Sequence, residues 1–200
     1  MVVRADRRRA VLVDRDGTVC EEVGYVDSPE QLRLIPRSAE AIAAAAAAGY
    51  QVVLVTNQGG IARGLLDEER LAEIHDHLRE LLGEHGARLD GIYYCPHHPD
   101  GDHPRYGVRC GCRKPAPGLL FRARDEMGID LERSFMIGDD ARDVEAGASA
   151  GVTPILVATG HGQVQRDDPA TRERLASVHL AADLEHAVDW ILRREPPEPV

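Results

Sequence analysis

The chain has 200 residues, of which 43% are hydrophobic and 29% charged, and a formal net charge of −10. That length suits one domain with a full core, and the acidity weighs against broad binding to nucleic acid or anionic membranes. No apolar run reaches the ~20 residues of a membrane span. The four apolar residues that follow Arg4, Arg7, Arg8 and Arg9 fall short of the roughly 7–15 in a signal peptide, so a cytoplasmic location is expected.

Residues 11–13, within Ala10-Val11-Leu12-Val13, predict a short buried strand that runs straight into Asp14-Arg15-Asp16-Gly17-Thr18. Residues 38–48 read as an alanine-rich helix closed by Gly49. A second strand at 51–55 ends at Thr56-Asn57-Gln58-Gly59-Gly60. Residues 67–82 form a long helix by the spacing of Leu71, Ile74, Leu78 and Leu81 or Leu82. A third strand follows at 91–94, a helix at 118–127, and a fourth strand at 134–137 that ends in Gly138-Asp139-Asp140. A helix at 144–150, a strand at 153–157 and a helix at 184–192 complete the series. Pro196, Pro197 and Pro199 mark a flexible tail at 196–200 behind a single domain at 1–195. This alternation predicts an α/β fold, a parallel sheet with helices on both faces.

A parallel sheet brings its strand ends to one edge, where such folds bind ligands. Asp14 and Asp16, Thr56-Asn57, and Asp139-Asp140 therefore converge, and Arg113-Lys114 can reach the same edge. Several carboxylates at one point repel unless a hard cation relieves them, and oxygen ligands favour Mg²⁺. Asp14 is placed to attack phosphorus and Asp16 to move the proton, with Thr56 and Lys114 on the phosphoryl oxygens. Of the 24 basic residues, Lys114 is the only lysine. A compact ammonium at that point is not replaceable by an arginine fork.

The second cluster is Cys95-x-His97 followed by Cys110-x-Cys112. Disulfides suit a cytoplasmic chain poorly, whereas two such pairs suit tetrahedral zinc, with His98 and His103 as rival nitrogen ligands to His97. Four protein ligands leave no open position, so the zinc is expected to be structural. It would pin the intervening loop over the site and fix Arg113-Lys114.

Asp14-x-Asp16-Gly17-Thr18, Thr56, Lys114 and Gly138-Asp139 resemble, in order, the four motifs of the haloacid dehalogenase (HAD) superfamily of phosphatases. The runs Gly24-Tyr25-Val26, Thr56-Asn57-Gln58, Gly60-Ile61-Ala62-Arg63-Gly64, 90–98 and Cys112-Arg113-Lys114-Pro115 narrow the likeness to its histidinol-phosphatase-like subfamily. The resemblance spans roughly residues 10–160. It implies a HAD-like Rossmannoid sheet with a small zinc-binding loop and no large cap domain. The implied activity is Mg²⁺-dependent removal of the 7-phosphate of a heptose 1,7-bisphosphate through an aspartyl-phosphate, on the way to a nucleotide-activated heptose. Histidinol phosphate, or another small sugar phosphate, is the alternative substrate.

The same resemblance implies Mg²⁺ held by Asp14, the Asp16 carbonyl and Asp139, and favours Cys95, His97, Cys110 and Cys112 as the zinc ligands. Arg15, Glu22, Val23, Gly24, Tyr25, Asn57, Gln58, Gly59, Arg113 and Asp140 are the expected substrate contacts. The pattern departs at Asp140, where enzymes of this kind can carry lysine, and Asp143 is expected to support the site by hydrogen bonding. A monomer without nucleic-acid or membrane partners is expected. Two readings of other classes, a glycosyltransferase using Asp-x-Asp and a zinc-based binding module, are weakened by Thr56 with Lys114 and by the net acidity.

Overall fold

The computed structural model describes residues 8–195. Arg4, Arg7 and the tail expected at 196–200 lie outside them. Strands β1 (Ala10–Val13), β2 (Gln51–Asn57), β3 (Gly91–Cys95), β4 (Phe135–Gly138), β5 (Thr153–Val157) and β6 (His179–Ala181) form one sheet in the order β3-β2-β1-β4-β5-β6. Every neighbouring pair is parallel. The chain starts in the middle, builds outward through β2 and β3, then returns to the other side of β1 with β4. The strand order therefore reverses beside β1, where a crevice opens at the carboxyl ends.

Helices α1 (Ser38–Ala47), α2 (Glu68–Glu84), α3 (Gly118–Met127), α4 (Ala141–Ala150), α5 (Gly162–Asp167), α6 (Pro169–Leu175) and α7 (Leu184–Arg194) cover the sheet. Side chains alternate across a strand, and the core divides accordingly. Val11 and Val13, with Val52, Leu54 and Ile137, pack toward Ile42 of α1, Ile74 and Leu78 of α2, and Val188 of α7. Ala10 and Leu12, with Val53, Val55 and Met136, pack toward Leu119 and Leu120 of α3 and Ala146 of α4. Burial on both faces is why these strands are short, unbroken apolar runs.

The structure extends the expected elements at their ends. Thr56 and Asn57 belong to β2 rather than to the loop after it, because both pair with β3. Asp67 is the cap of α2, its carboxylate accepting from the Arg70 amide at 2.8 Å. Helix α4 begins at Ala141, three residues before the apolar Val144 that marks it in the sequence. The sixth strand and helices α5 and α6 escape the pattern because they are too short to show a period. A cap does betray α6: the Asp168 carboxylate accepts from the Ala170 amide, with Pro169 in the first turn.

Candidate active site

Asp14 leaves β1 with its amide still bonded to the Ile137 carbonyl of β4 at 3.0 Å, so the sheet itself sets its direction. Its Oδ1 receives the Arg15 amide at 2.7 Å and lies 2.9 Å from Lys114 Nζ. Lys114 is buried, and two further oxygens enclose its ammonium: Asp143 Oδ1 at 2.6 Å and the Val55 carbonyl of β2 at 2.8 Å. Burial works against the charge, but Asp14 and Asp143 together hold the Lys114 pKa above its usual range. The backbone of Lys114 is fixed as well. Asn57 Nδ2 donates to the Lys114 carbonyl and Lys114 N to Asn57 Oδ1, each at 3.0 Å.

Asp16 sits two residues on, and its carboxylate is held by a fork. Arg15 Nε and Nη2 donate to its two oxygens at 2.9 Å each, and Gln58 Nε2 adds a contact at 3.2 Å. Gln58 Nε2 also donates to Thr56 Oγ1 at 2.9 Å. A hydroxyl that accepts there keeps its own proton for a ligand oxygen. Gly17 makes this turn possible with a φ of +74°, and a Cβ at that point would overlap the Asp139 carboxylate.

Asp139 ends β4, and Asp140 and Asp143 cap α4 reciprocally. The Asp140 side chain accepts from the Arg142 amide and Asp143 Oδ2 from the Asp140 amide, at 2.9 and 3.1 Å. Asp139 Oδ2 accepts from the His161 amide at 2.8 Å. Burial, then the nearby Asp14 and Asp143, push the Asp139 carboxyl up to about 8. Arg142, missed in the sequence, grips Asp140 with Nε and Nη2 at 2.9 Å each. Burial alone would raise the Asp140 carboxyl, but this fork and the Arg142 amide bring it below its ordinary value.

Carboxylate oxygens of Asp14, Asp139 and Asp143 lie within 4.8 Å of one another. One ammonium cannot balance three clustered carboxylates, two of them buried and Asp14 half-buried, and burial with the Asp14 charge beside it raises the Asp139 carboxyl. An oxygen-ligated divalent cation fits this charge deficit. Asp143 spends both oxygens, on Lys114 and on the Asp140 amide, which leaves Asp14 and Asp139 as the side chains to hold the ion. Asp16 turns its carboxylate to Arg15 and Gln58, so only its carbonyl is open to that role.

Cys95, His97, Cys110 and Cys112 also bring their ligand atoms within 4.8 Å of one another. Cys112 Sγ lies 3.1 Å from Cys95 Sγ and 3.3 Å from Cys110 Sγ, and His97 Nδ1 lies 3.4 Å from Cys112 Sγ. Three sulfurs and one imidazole nitrogen gathered at one point are the donor set that suits Zn²⁺. The rivals fall away. His98 Nδ1 accepts from the Asp100 amide and faces Arg63, and His103 Nδ1 accepts from the Arg105 amide. Cys20, the fourth cysteine, is buried in the core, where burial pushes its thiol up to about 12. Between the ligands the chain folds over the turn after β2, with the His103 amide on the Ala62 carbonyl and Tyr106 packed on Ile61, Ala62 and Leu71.

The strand ends open into a cavity of about 290 Å³. Asp14, Asp16, Thr56, Lys114 and Asp139 line it, as do the expected contacts Glu22, Gly24, Tyr25, Asn57, Gln58, Gly59, Arg113 and Asp140. Two expected contacts do not. Arg15 is 1% exposed and spends its fork on Asp16, and Val23, next to the lining residues, is half exposed and outside the lining. Val26, Leu66, Arg142, Asp143 and His161 complete the wall. Arg113 donates to the His97 carbonyl at 3.2 Å, which ties it to the cysteine cluster. Burial and the facing Arg142 lower the Arg113 pKa, so two guanidinium groups share one cavity.

A family profile described as HAD-hydrolase-like matches residues 111–187. A curated protein of Photorhabdus laumondii named D-glycero-beta-D-manno-heptose-1,7-bisphosphate 7-phosphatase is 46% identical over 152 residues, 76% of this chain and 81% of that protein. A D-glycero-D-manno-heptose-1,7-bisphosphate 7-phosphatase of Chlorobaculum tepidum is 40% identical over 194 residues, 94% of this chain and 96% of that protein. The crystal structure of a D,D-heptose 1,7-bisphosphate phosphatase from B. bronchiseptica, complexed with magnesium and phosphate, superposes with a TM-score of 0.79 at 35% identity. It covers 93% of this chain and 99% of its own.

Proposed function

The chain belongs to the D-glycero-D-manno-heptose-1,7-bisphosphate 7-phosphatase family of HAD-like hydrolases, and from that membership we propose that it hydrolyses the 7-phosphate of such a bisphosphate. The observation that carries this reading is the meeting of Asp14, Thr56, Lys114 and Asp139 from separate elements in one cavity, with a pair of arginines above them.

Both contacts to Asp14 fall on Oδ1, which leaves Oδ2 for attack on phosphorus. As the new bond forms, the bond from phosphorus to the C7 oxygen breaks, and Asp16 gives its proton to the departing alkoxide. Thr56 donates its hydroxyl proton to a phosphoryl oxygen, and Lys114 adds positive charge beside the nucleophile. Water then attacks the phosphorus of the aspartyl-phosphate while Asp16 takes its proton, releasing phosphate and restoring Asp14. Mg²⁺ at Asp14, Asp139 and the Asp16 carbonyl supplies the neutralisation that lets a carboxylate approach a phosphate dianion.

Arg113 and Arg142 offer the charge that the phosphate left on C1 requires, and Glu22 and Tyr25 face the sugar. This arrangement favours a bisphosphate over histidinol phosphate, which carries one phosphate and an amine. The enzyme works as a cytoplasmic monomer, a reading supported by the short cysteine segment in place of a large cap. None of the described helices is long and apolar enough to cross a membrane. Phosphate release from both heptose anomers, histidinol phosphate and a simple phosphate ester tests the assignment. A higher kcat/KM for the bisphosphate is expected, and a preference for histidinol phosphate overturns it.

A further inference from the structure

The loop after β5 supplies the cavity with a side chain that the proposed chemistry leaves unused. β5 lies next to β4 in the sheet, so this loop runs beside Asp139. Three consecutive residues of it are pinned to the reacting end of the cavity. Thr159 Oγ1 donates to the Gly17 carbonyl at 2.6 Å. Gly160 has a φ of +55°, and a Cβ there would overlap the Asp139 carboxylate and the Gly17 Cα. The His161 amide donates to Asp139 Oδ2 at 2.8 Å. The backbone that carries the His161 ring is therefore held by the same residues that shape the turn after β1.

The imidazole lines the cavity, and the side chain is 54% exposed. Nδ1 lies 3.4 Å from Asp139 Oδ2, while Nε2 makes no hydrogen bond among the described residues. The strand order sets β5 and β2 on opposite sides of β1, so His161 enters the cavity from the side away from Gly59. We infer that His161 is a specificity-determining residue whose Nε2 hydrogen-bonds a hydroxyl group of the sugar. A hydroxyl both donates and accepts, so it satisfies that nitrogen in either ring tautomer. An anionic oxygen would need the proton on Nε2, and Arg113 and Arg142 already offer the charge that a second phosphate requires. The inference rests on the reading of the substrate as a sugar phosphate, and it gives His161 no step of the chemistry.

His161→Phe keeps a flat ring and loses the nitrogen, and His161→Gln restores a donor and an acceptor at similar reach. Both are compared with the parent at saturating Mg²⁺, on the heptose bisphosphate and on p-nitrophenyl phosphate, which has no hydroxyl chain. For His161→Phe, KM for the bisphosphate is expected to rise about fivefold at unchanged kcat, the worth of one neutral hydrogen bond. Its kinetics on the simple ester should stay within about twofold of the parent, and His161→Gln should recover most of the loss. Equal losses on the two substrates place the ring at Asp139 or at the transferring phosphoryl group and overturn the inference. An unchanged KM for the bisphosphate overturns it as well. A parent that handles the bisphosphate no better than the simple ester defeats the substrate reading and the inference together. A parent that prefers the bisphosphate, with a His161→Phe variant that keeps the whole preference, defeats the inference alone.

Discussion

Asn57 and Lys114 hold each other by two hydrogen bonds, side-chain amide to main-chain peptide, each 3.0 Å long. The pair fastens the end of β2 to the segment that leaves the cysteine cluster. It fixes the peptide of the lysine whose ammonium touches Asp14. Asn57 lines the cavity, yet its polar atoms face the protein.

Asn57→Leu is therefore expected to lower kcat more than it raises KM. The variant leaves a buried peptide N–H and C=O without partners, which costs about 1–3 kcal/mol each. Steady-state kinetics and a urea titration measure the two effects. An unchanged kcat with a raised KM would make Asn57 a substrate contact instead.

Lys114→Arg is expected to lose at least about 100-fold in kcat, because a fork cannot take the place of an ammonium enclosed by three oxygens at 2.6–2.9 Å. Lys114→Met is worse for the fold. It strands Asp143 as a buried charge and Asp14 as a half-buried one, a loss on the order of 3–5 kcal/mol. Turnover of the first variant and thermal unfolding of the second are the measurements.

Removal of zinc with a chelator is expected to lower Tm by about 5 °C or more, since the ion binds only the folded arrangement. Turnover falls with it, because Cys112 lies two residues from Lys114 and Arg113 bonds the carbonyl of His97. Turnover and Tm that survive complete zinc loss would remove the link between the cluster and the catalytic lysine.

The strand-end acids, Thr56 and Lys114 were legible because each follows an apolar run or stands alone in composition, and parallel topology does the rest. Arg15, expected at the substrate, lies against Asp16 for a physical reason. Side chains alternate at a strand end, so the residue between two acids that face the cavity leaves on the other side. Arg142 was invisible because its place depends on Asp140 starting a helix, which brings a residue two positions on back over the cap. The β6 strand offers only three residues, too few for any period. Composition leaves His97, His98 and His103 equivalent, and only the fold gathers His97 with the three sulfurs.

Arg142→Gln is expected to raise KM for the bisphosphate about tenfold while a simple monophosphate ester is turned over as before. On the proposed reading the guanidinium serves the phosphate that stays on the sugar, so only a substrate with two phosphates feels its loss. Equal effects on both substrates would place Arg142 at the transferring group.

Stability should fall as the solution is acidified below pH 6.5. The His75 imidazole is held down to about 3 in the folded chain by burial and Arg15, against an ordinary 6.5 once unfolded. Between those values the unfolded state binds a proton that the folded state refuses, so stability is lost as pH falls, at up to about 1.4 kcal/mol per pH unit. Above pH 6.5 this group makes no difference. Urea titrations at pH 7, 6 and 5 measure the slope, and His75→Gln should flatten it by that amount.

The solitary lysine has a practical consequence. With one ε-amine in the whole sequence, and that amine shut between β1, β2 and α4, lysine-directed acylation of the native enzyme must wait for the fold to open. Its rate then counts openings of the catalytic centre. A selective ¹⁵N label on the lysine side chain gives a single ammonium resonance, and that resonance belongs to the group beside Asp14.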